Sequence, residues 1–278
     1  MQTHTVTGGG GLKLHVRDWG PTDAPAILFL HGWSQHHLCW GKQTGSSLAD
    51  DCRVVAADLR GHGQSEAPLA AEAYTTGALW ADDVAGIIAS LGLKTPILVG
   101  WSYGGFVIGD YLRKYGDGAL GGVNLVCGAV AIGPAYFRDL IGPDFLDLAP
   151  LACSEDQVQA LSAIQDFVHR CLAVPVSARE FELAVGWNML THPQVRANLI
   201  QRDDDFRPEY QALNKPLLVT YGSADRVVLP AMAKAVQDAR PDCRMSEYVG
   251  AAHAPFMEDA ARFNAELAAF AREAWGRA

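Results

Sequence analysis

A series of short, continuously apolar segments separated by glycine-containing stretches constrains this chain more than any other feature. A strand that is covered on both faces is an uninterrupted apolar run, whereas a half-exposed strand alternates apolar with polar residues. The segments are Ala26–Leu30, 54–57, 97–99, 123–127 and 217–221. We therefore expect a sheet whose central strands are buried on both faces.

Helical patterns fill the intervals between these segments. Apolar residues recur at helical spacing in 79–91, which predicts that Asp82 and Asp83 lie on the opposite face. Residues 104–115 and 231–239 behave similarly, and 260–275 predicts a long amphipathic helix. Strands that alternate with helices predict an α/β fold with a mostly parallel central sheet and helices on both faces.

The beginning of the chain departs from this pattern. Residues 12–19 alternate between apolar and polar side chains, which is typical of a half-exposed strand. We expect this strand to be antiparallel and to form the edge of the sheet. The four glycines at 8–11 predict a hairpin turn just before it.

The alternation of strands and helices stops between residues 133 and 213. This segment is mostly helical in pattern, is interrupted by prolines, and contains no convincing buried strand. We expect a helical cap, 133–213, inserted into a core made of 1–132 and 214–278. An insertion after a strand would lie over the carboxyl ends of the sheet, where open α/β sheets bind their ligands.

Composition narrows the classes of partner. The 22 Lys and Arg against 31 Asp and Glu give a formal charge of −9, which disfavours binding to nucleic acid or to an anionic membrane. Residues 1–11 lack the pattern of a signal peptide, and the six cysteines form no C-x-x-C pair. We therefore expect buried free thiols, a cytoplasmic location, and a monomer or homodimer.

The sequence Gly-Trp-Ser-Tyr-Gly at 100–104 carries the chemistry. It follows an apolar strand and opens a helix, so Ser102 would lie on a sharp strand-to-helix turn. Such a turn requires small residues at positions 100 and 104, and it exposes the serine hydroxyl. The free N–H groups at the helix start also favour a developing negative charge. We therefore predict that Ser102 is a nucleophile.

A serine nucleophile needs a base, and the base needs an acid that orients it. His253 lies in a loop after the last expected strand, and Asp225 comes directly after the 217–221 segment. Both would therefore share the sheet edge of Ser102, which predicts a Ser102–His253–Asp225 triad. If Asp225 were dispensable, Asp139 and Asp144 would be the next candidates for the acid.

These motifs together resemble the α/β-hydrolase fold, in the branch of esterases, lipases and cofactor-free haloperoxidases (perhydrolases). The resemblance covers nearly the whole chain apart from the insertion. Its carriers are His31-Gly32-Trp33, the Asp-Leu-Arg-Gly-His-Gly-Gln-Ser stretch at 58–65, the serine turn, and the stretches 222–225 and 250–256. The resemblance implies an oxyanion hole formed by the backbone N–H groups of Trp33 and Tyr103. It also implies that the 58–65 stretch is a structural turn, so Arg60 and His62 are not expected to be catalysts.

The substrate pocket is less clearly marked. We expect it to involve Trp33, Trp101, His36, Phe145 and Trp187, of which the last two lie in the cap. Because the adjacent pair His36 and His37 has no further ligand at metal-binding spacing, we predict no metal site. The acidic run 203–205 is interpreted as a solvated loop, and we expect no cofactor.

The resulting prediction is a serine hydrolase that cleaves a small-to-medium carboxylic ester or lactone through an acyl-enzyme. Related haloalkane dehalogenases and epoxide hydrolases carry an aspartate at the turn, so Ser102 argues against both activities. The alternatives are a cofactor-independent oxygenase or a perhydrolase of the same fold. A small-molecule receptor that has kept the triad is a third alternative, and ester turnover would distinguish it from an enzyme.

Overall fold

The computed structural model describes residues 1–276 and contains one large sheet and one small one. The strands are β1 (Gln2–Thr7), β2 (Lys13–Trp19), β3 (Ala26–Leu30), β4 (Arg53–Ala57), β5 (Ile97–Trp101), β6 (Gly122–Val126), β7 (Ala131–Ile132), β8 (Asp204–Asp205), β9 (Leu217–Gly222) and β10 (Arg244–Tyr248). The eight-stranded sheet has the order β1-β2-β4-β3-β5-β6-β9-β10, and β7 pairs with β8.

The large sheet confirms the predicted mostly parallel α/β architecture. Strands from β4 through β10 in the spatial order run parallel, and β1 and β2 are antiparallel to their neighbours. Every residue of β3, β4, β5 and β6 is buried, as continuous apolar runs require. The prediction that residues 12–19 form the edge of the sheet was wrong. β1, which precedes the glycine turn, pairs with the outer side of β2 and is itself the edge strand.

The helices follow the same order along the chain. They are α1 (Gly41–Thr44), α2 (Leu48–Asp51), α3 (Glu72–Thr75), α4 (Gly77–Ser90), α5 (Tyr103–Tyr115), α6 (Pro143–Ala152), α7 (Gln157–Arg170), α8 (Ala178–Met189), α9 (Pro193–Leu199), α10 (Arg207–Ala212), α11 (Pro230–Ala239), α12 (Pro255–Glu258) and α13 (Ala260–Ala274). One packed group contains α4, α5, α10 and α11, and another contains α1, α2, α12 and α13. Both groups contact the sheet.

Helix α4 differs from the prediction in the position of one of its two carboxylates. Asp83 is buried, and its carboxylate accepts hydrogen bonds from the Arg60 guanidinium at 2.7 and 2.8 Å. Asp82 instead lies near the surface, where it accepts from Lys114 at 2.6 Å. Helical spacing predicted both carboxylates on the polar face, but Asp83 is buried because it pairs with Arg60, a buried residue of the 58–65 turn.

Residues 133–213 contain helices α6 to α10 and the short strand β8. The acidic run at 203–205 is not a solvated loop. Asp204 binds Arg113 at 2.8 Å and Arg202 at 2.9 Å, and Asp205 accepts from Arg207. The Arg113 pair attaches the end of the segment to α5, and the other two pairs lie within the segment. No helix among residues 1–276 is both long and apolar enough to cross a membrane.

Candidate active site

Ser102 lies at the turn between β5 and α5, in a backbone conformation that non-glycine residues rarely adopt (φ 54°). Its flanking glycines are sterically required. A Cβ atom at Gly100 would lie 2.7 Å from the Gly104 carbonyl group, and one at Gly104 would lie 2.3 Å from the Leu30 oxygen. The Ser-flanking glycines of the sequence motif therefore make this strained turn possible.

Backbone hydrogen bonds hold the strained turn in place. The Ser102 N–H donates to the Val126 oxygen at 3.0 Å. The backbone carbonyl oxygen of Ser102 accepts from the N–H groups of Gly105 and Ala129, both at 2.9 Å. Conformational strain persists only where the surroundings over-determine it, and these bonds provide that constraint.

Asp225 and His253 form a buried hydrogen-bonded pair at the same edge of the sheet. His253 Nδ1 donates to Asp225 Oδ2 at 2.7 Å, and both side chains are almost fully buried. The other carboxylate oxygen accepts from the N–H groups of Val227 at 2.8 Å and Val228 at 3.1 Å. An ionised carboxylate that accepts from Nδ1–H leaves Nε2 of the imidazole as the proton acceptor.

Trp101 contributes to this geometry from behind. Its indole N–H donates to the backbone oxygen of His253 at 2.8 Å. The ring packs edge-on against Trp40 and Phe256, inside the core. The prediction that Trp101 lines the pocket is therefore corrected: its indole connects the residue before Ser102 to the histidine loop.

Both predicted oxyanion residues line the same cavity as Ser102. Tyr103 is the first residue of α5, so its N–H is one of the helix-start donors without an intrahelical acceptor. Gly32, the residue before Trp33, packs directly on the nucleophile, because a Cβ atom there would lie 3.0 Å from the Ser102 Cβ. The loop that carries Trp33 therefore passes directly beside the serine.

A narrow apolar cavity of about 40 Å³ opens at Ser102. Trp33 and Phe145 both line it, and their rings meet edge to face at 5.2 Å. The remaining wall residues are Tyr103, Ala129, Ile132, Phe137, Ile141, Leu199, Ile200, Val227 and Val228. Sequence analysis missed most of these, although Val227 and Val228 follow Asp225 so closely that their position alone could have indicated them.

His36 and Trp187, which the sequence placed in the pocket, lie outside this wall. His36 is buried beside Asp58, with Nδ1 3.4 Å from the carboxylate, and burial lowers its pKa to about 4. Trp187 donates its indole N–H to Gln35 Oε1 at 2.9 Å. Both predictions are corrected, because neither ring nor its polar partner belongs to the cavity wall.

Among residues 1–276, two groups of side chains bring metal-ligating atoms within 4.8 Å of one another: His15 with His37 and Asp58, and Cys127 with Asp225 and His253. In the first group Asp58 Oδ1 already accepts from the backbone and side chain of His37, at 2.9 and 2.8 Å. In the second, burial raises the pKa of the Cys127 thiol well above its usual value. A protonated thiol is a poor ligand, so hydrogen bonding describes this group better than metal binding.

Comparison with known proteins identifies the family. Residues 27–266 match the profile of the alpha/beta hydrolase family. The esterase RhEst1 from Rhodococcus is 36% identical, with a TM-score of 0.92 and 98% of each chain covered.

Two further relatives extend this comparison. The bifunctional esterase/perhydrolase DCH of Acinetobacter calcoaceticus is 28% identical, covering 96% of this chain and 99% of its own. An enol-lactonase of Burkholderia xenovorans is 26% identical, covering 97% of this chain and 99% of its own, with a TM-score of 0.79. As the sequence motifs predicted, the chain belongs to the alpha/beta hydrolase family and is an enzyme of its esterase and perhydrolase type.

Proposed function

We propose that this enzyme cleaves small-to-medium, uncharged carboxylic esters or lactones through an acyl-enzyme on Ser102. The observation that carries the proposal is the buried Asp225–His253 pair, at 2.7 Å, on the same sheet edge as the strained serine turn. A serine hydroxyl is a weak nucleophile until a positioned base removes its proton.

The proposed reaction proceeds in two halves. In the first, His253 Nε2 takes the proton from Ser102 Oγ while Oγ bonds to the substrate carbonyl carbon. The resulting oxyanion accepts hydrogen bonds from the N–H groups of Trp33 and Tyr103. His253 then protonates the departing alcohol oxygen, which leaves an acyl-enzyme. In the second half, water repeats the attack with the same base and restores Ser102, while Asp225 stays ionised throughout.

The cavity limits the substrate. Its wall within residues 1–276 contains no charged side chain and only two hydroxyl groups, those of Ser102 and Tyr103. An ionised acyl chain would lose its hydration there without gaining a partner. We propose that the segment 133–213 acts as the cap that sets acyl length, since Phe137, Ile141 and Phe145 belong to it.

A panel of p-nitrophenyl esters from about two to twelve carbons, with several lactones, tests this proposal. We expect turnover to peak at short or medium neutral acyl chains. A fluorophosphonate should label the wild-type protein on Ser102, and Ser102→Ala should lose both labelling and turnover. Labelling at another serine, or full activity in His253→Ala, would overturn the triad assignment. A preference for emulsified long-chain lipid would overturn the cavity argument.

The esterase/perhydrolase relative supports a second activity of the same site. In this second reaction, hydrogen peroxide instead of water would attack the acyl-enzyme, releasing a peracid and regenerating Ser102. Peracid formation from an ester and added peroxide should then require Ser102 and His253 equally. Peracid production that persists in Ser102→Ala would exclude this route.

A further inference from the structure

Arg196, in helix α9, is a fully buried arginine whose partners are unusual. Its Nε donates to Ser34 Oγ at 2.9 Å, Nη1 to the Ala152 oxygen at 2.6 Å and Nη2 to the Asn188 oxygen at 2.7 Å. Burial lowers its pKa to about 10, so the guanidinium still carries its charge at neutral pH.

The acceptors of this cation are dipoles and not a carboxylate. Within residues 1–276 the guanidinium donates to a hydroxyl and two backbone oxygens, and it makes a weak contact to the Met189 sulfur. A buried charge without an opposite charge is costly unless hydrogen bonds compensate it. Other buried arginines in the chain pair with acids: Arg53 with Asp18, Arg60 with Asp83, and Arg202 with Asp110.

The hydroxyl that Arg196 holds belongs to the residue next to Trp33. Ser34 has a positive φ of 60°, and its Oγ donates onward to the Asn188 oxygen at 3.2 Å. The backbone oxygen of Arg196 accepts the indole N–H of Trp33 at 3.1 Å. Arg196 therefore contacts two consecutive side chains of the loop, the Trp33 indole through its own carbonyl and the Ser34 hydroxyl through its guanidinium.

The core also holds the same loop. The Ser34 N–H donates to His62 Nε2 at 3.1 Å, and the Ser34 backbone adopts its strained conformation between these two attachments. On the side of the 133–213 segment, Gln35, the next residue, donates its side-chain N–H to Asn188 Oδ1 in α8 at 3.3 Å. A loop conformation that costs energy persists only when its surroundings enforce it.

We propose that Arg196 is a positioning residue, which holds the Trp33–Ser34 loop so that the Trp33 N–H points at the oxyanion. This inference rests on the proposed hydrolase function. It gives the cap a second role, because a residue from the cap then controls transition-state stabilisation as well as substrate size. The catalytic contribution of Arg196 is exerted entirely through the loop.

The test is Arg196→Met, which keeps an unbranched side chain that can fill part of the same space and removes every side-chain donor. We expect kcat to fall about 10- to 100-fold with KM little changed, since a displaced oxyanion donor costs less than a deleted one. Affinity for a trifluoromethyl ketone, which forms a tetrahedral adduct with Ser102, should fall by a similar factor. Ser34→Ala should give a smaller loss of the same kind, and Arg196→Lys a partial rescue.

Arg53→Met is the matched control, because Arg53 is also buried but lies at the opposite end of β4 from the site. Should either methionine variant fail to fold, Arg196→Lys and Arg53→Lys replace them. The proposal is overturned if Arg196→Met keeps the wild-type kcat. It is also overturned if Arg53→Met at equal loss of thermal stability loses as much kcat.

Fluorophosphonate labelling separates this proposal from the proposed function. Absence of labelling in the wild-type protein would show that the hydrolase assignment itself is wrong. Normal labelling of the wild-type protein, together with a wild-type kcat in Arg196→Met, would show that only the positioning role is wrong. A labelling rate that falls together with kcat supports both.

Discussion

The proposed cap, residues 133–213, contacts the core through Arg196 and Arg202, two buried arginines that lie close together in sequence but have different partners. Arg202 donates to both oxygens of Asp110 on α5, at 2.6 and 2.7 Å, and also reaches Asp204. Arg196 is held by a hydroxyl and backbone carbonyl groups. One contact therefore joins two opposite charges, whereas the other joins a charge to dipoles.

The difference separates a structural attachment from a functional one. The Arg202–Asp110 pair connects the cap to the helix that begins at the nucleophile, and removing one partner would leave an uncompensated buried charge. The Arg196 contacts are to a short loop, and in our proposal their loss displaces the oxyanion donor of that loop. We expect variants at the first contact to change stability most, and variants at the catalytic edge to change rate most.

Asp225→Asn should have the largest effect on rate. The amide keeps an oxygen that can accept from the Val227 and Val228 N–H groups, so the fold should survive. Loss of the carboxylate leaves the imidazole in the wrong tautomer, and kcat should fall about 10⁴-fold. Steady-state kinetics at neutral pH measure this.

Near-native turnover in Asp225→Asn would instead move the acid elsewhere. Asp144 is a weaker candidate for the acid than Asp225, because its carboxylate already binds Arg170 at 3.0 Å and Arg226 at 3.2 Å. Asp144→Asn is therefore the matched control, and we expect it to retain most of the activity.

Asp110→Ala should have the largest effect on stability. It leaves the Arg202 guanidinium buried without its main partner, which typically costs about 3–5 kcal/mol of unfolding free energy. Urea unfolding measures the loss. Lys234→Ala, which removes an exposed ion pair on α11, should change stability by less than about 0.5 kcal/mol. If Asp110→Ala lost as little unfolding free energy as Lys234→Ala, the Arg202–Asp110 pair would not be a structural attachment.

The core attachment of Ser34 makes stability depend on pH. Burial lowers the pKa of His62 to about 4, whereas an unfolded histidine titrates near 6.5. Between these values the unfolded state binds more protons, so the unfolding free energy is largest above about pH 6.5 and falls as pH drops toward 4. The slope contributed by one such histidine is at most about 1.4 kcal/mol per pH unit.

His62→Gln should make this pH dependence shallower. Glutamine offers an oxygen to the Ser34 N–H but does not titrate. His36, whose pKa is also lowered to about 4, remains in the variant and should preserve part of the slope. Urea midpoints at pH 7 and pH 5 compare the two proteins. An identical slope in both would show that His62 does not contribute.

Phe145→Ala should have the smallest effect, confined to selectivity. Phe145 lines the cavity, so the variant should accept longer acyl chains, with each added methylene worth about 0.8 kcal/mol, or roughly fourfold in kcat/KM. Trp187→Ala is the control from the same cap, because its indole binds Gln35 outside the cavity wall. We expect Trp187→Ala to leave the chain-length ranking unchanged. A ranking altered equally by both variants would contradict this cavity assignment.

Much of the architecture could be predicted from local sequence. The continuous run at Ala26–Leu30 coincides with β3, and the segments at 54–57, 97–99 and 217–221 fall inside β4, β5 and β9. Such runs identify central strands because burial on both faces removes polar residues from them. Periodicity did not reveal that β1 takes the sheet edge, since that depends on which strand pairs with β2.

The candidate catalytic residues were also accessible from sequence, because each sits where a strand ends and its neighbours have turn chemistry of their own. Glycines around Ser102 and the position of Asp225 after an apolar run are local signals, and the order of parallel strands gathers them at one edge. The pocket was predicted only in part, since Trp101, His36 and Trp187 form polar contacts elsewhere.

The sequence by itself determined the type of sheet, the serine turn and the order of the proposed triad, because these depend on contiguous residues. Only the tertiary structure decided the cavity wall and the support of the oxyanion loop. Trp33 and Arg196 are 163 positions apart in the chain, yet the indole of one donates to the carbonyl of the other. Contacts of this kind leave no periodic pattern in the sequence, because they arise from packing between an inserted segment and a loop at the edge of the sheet.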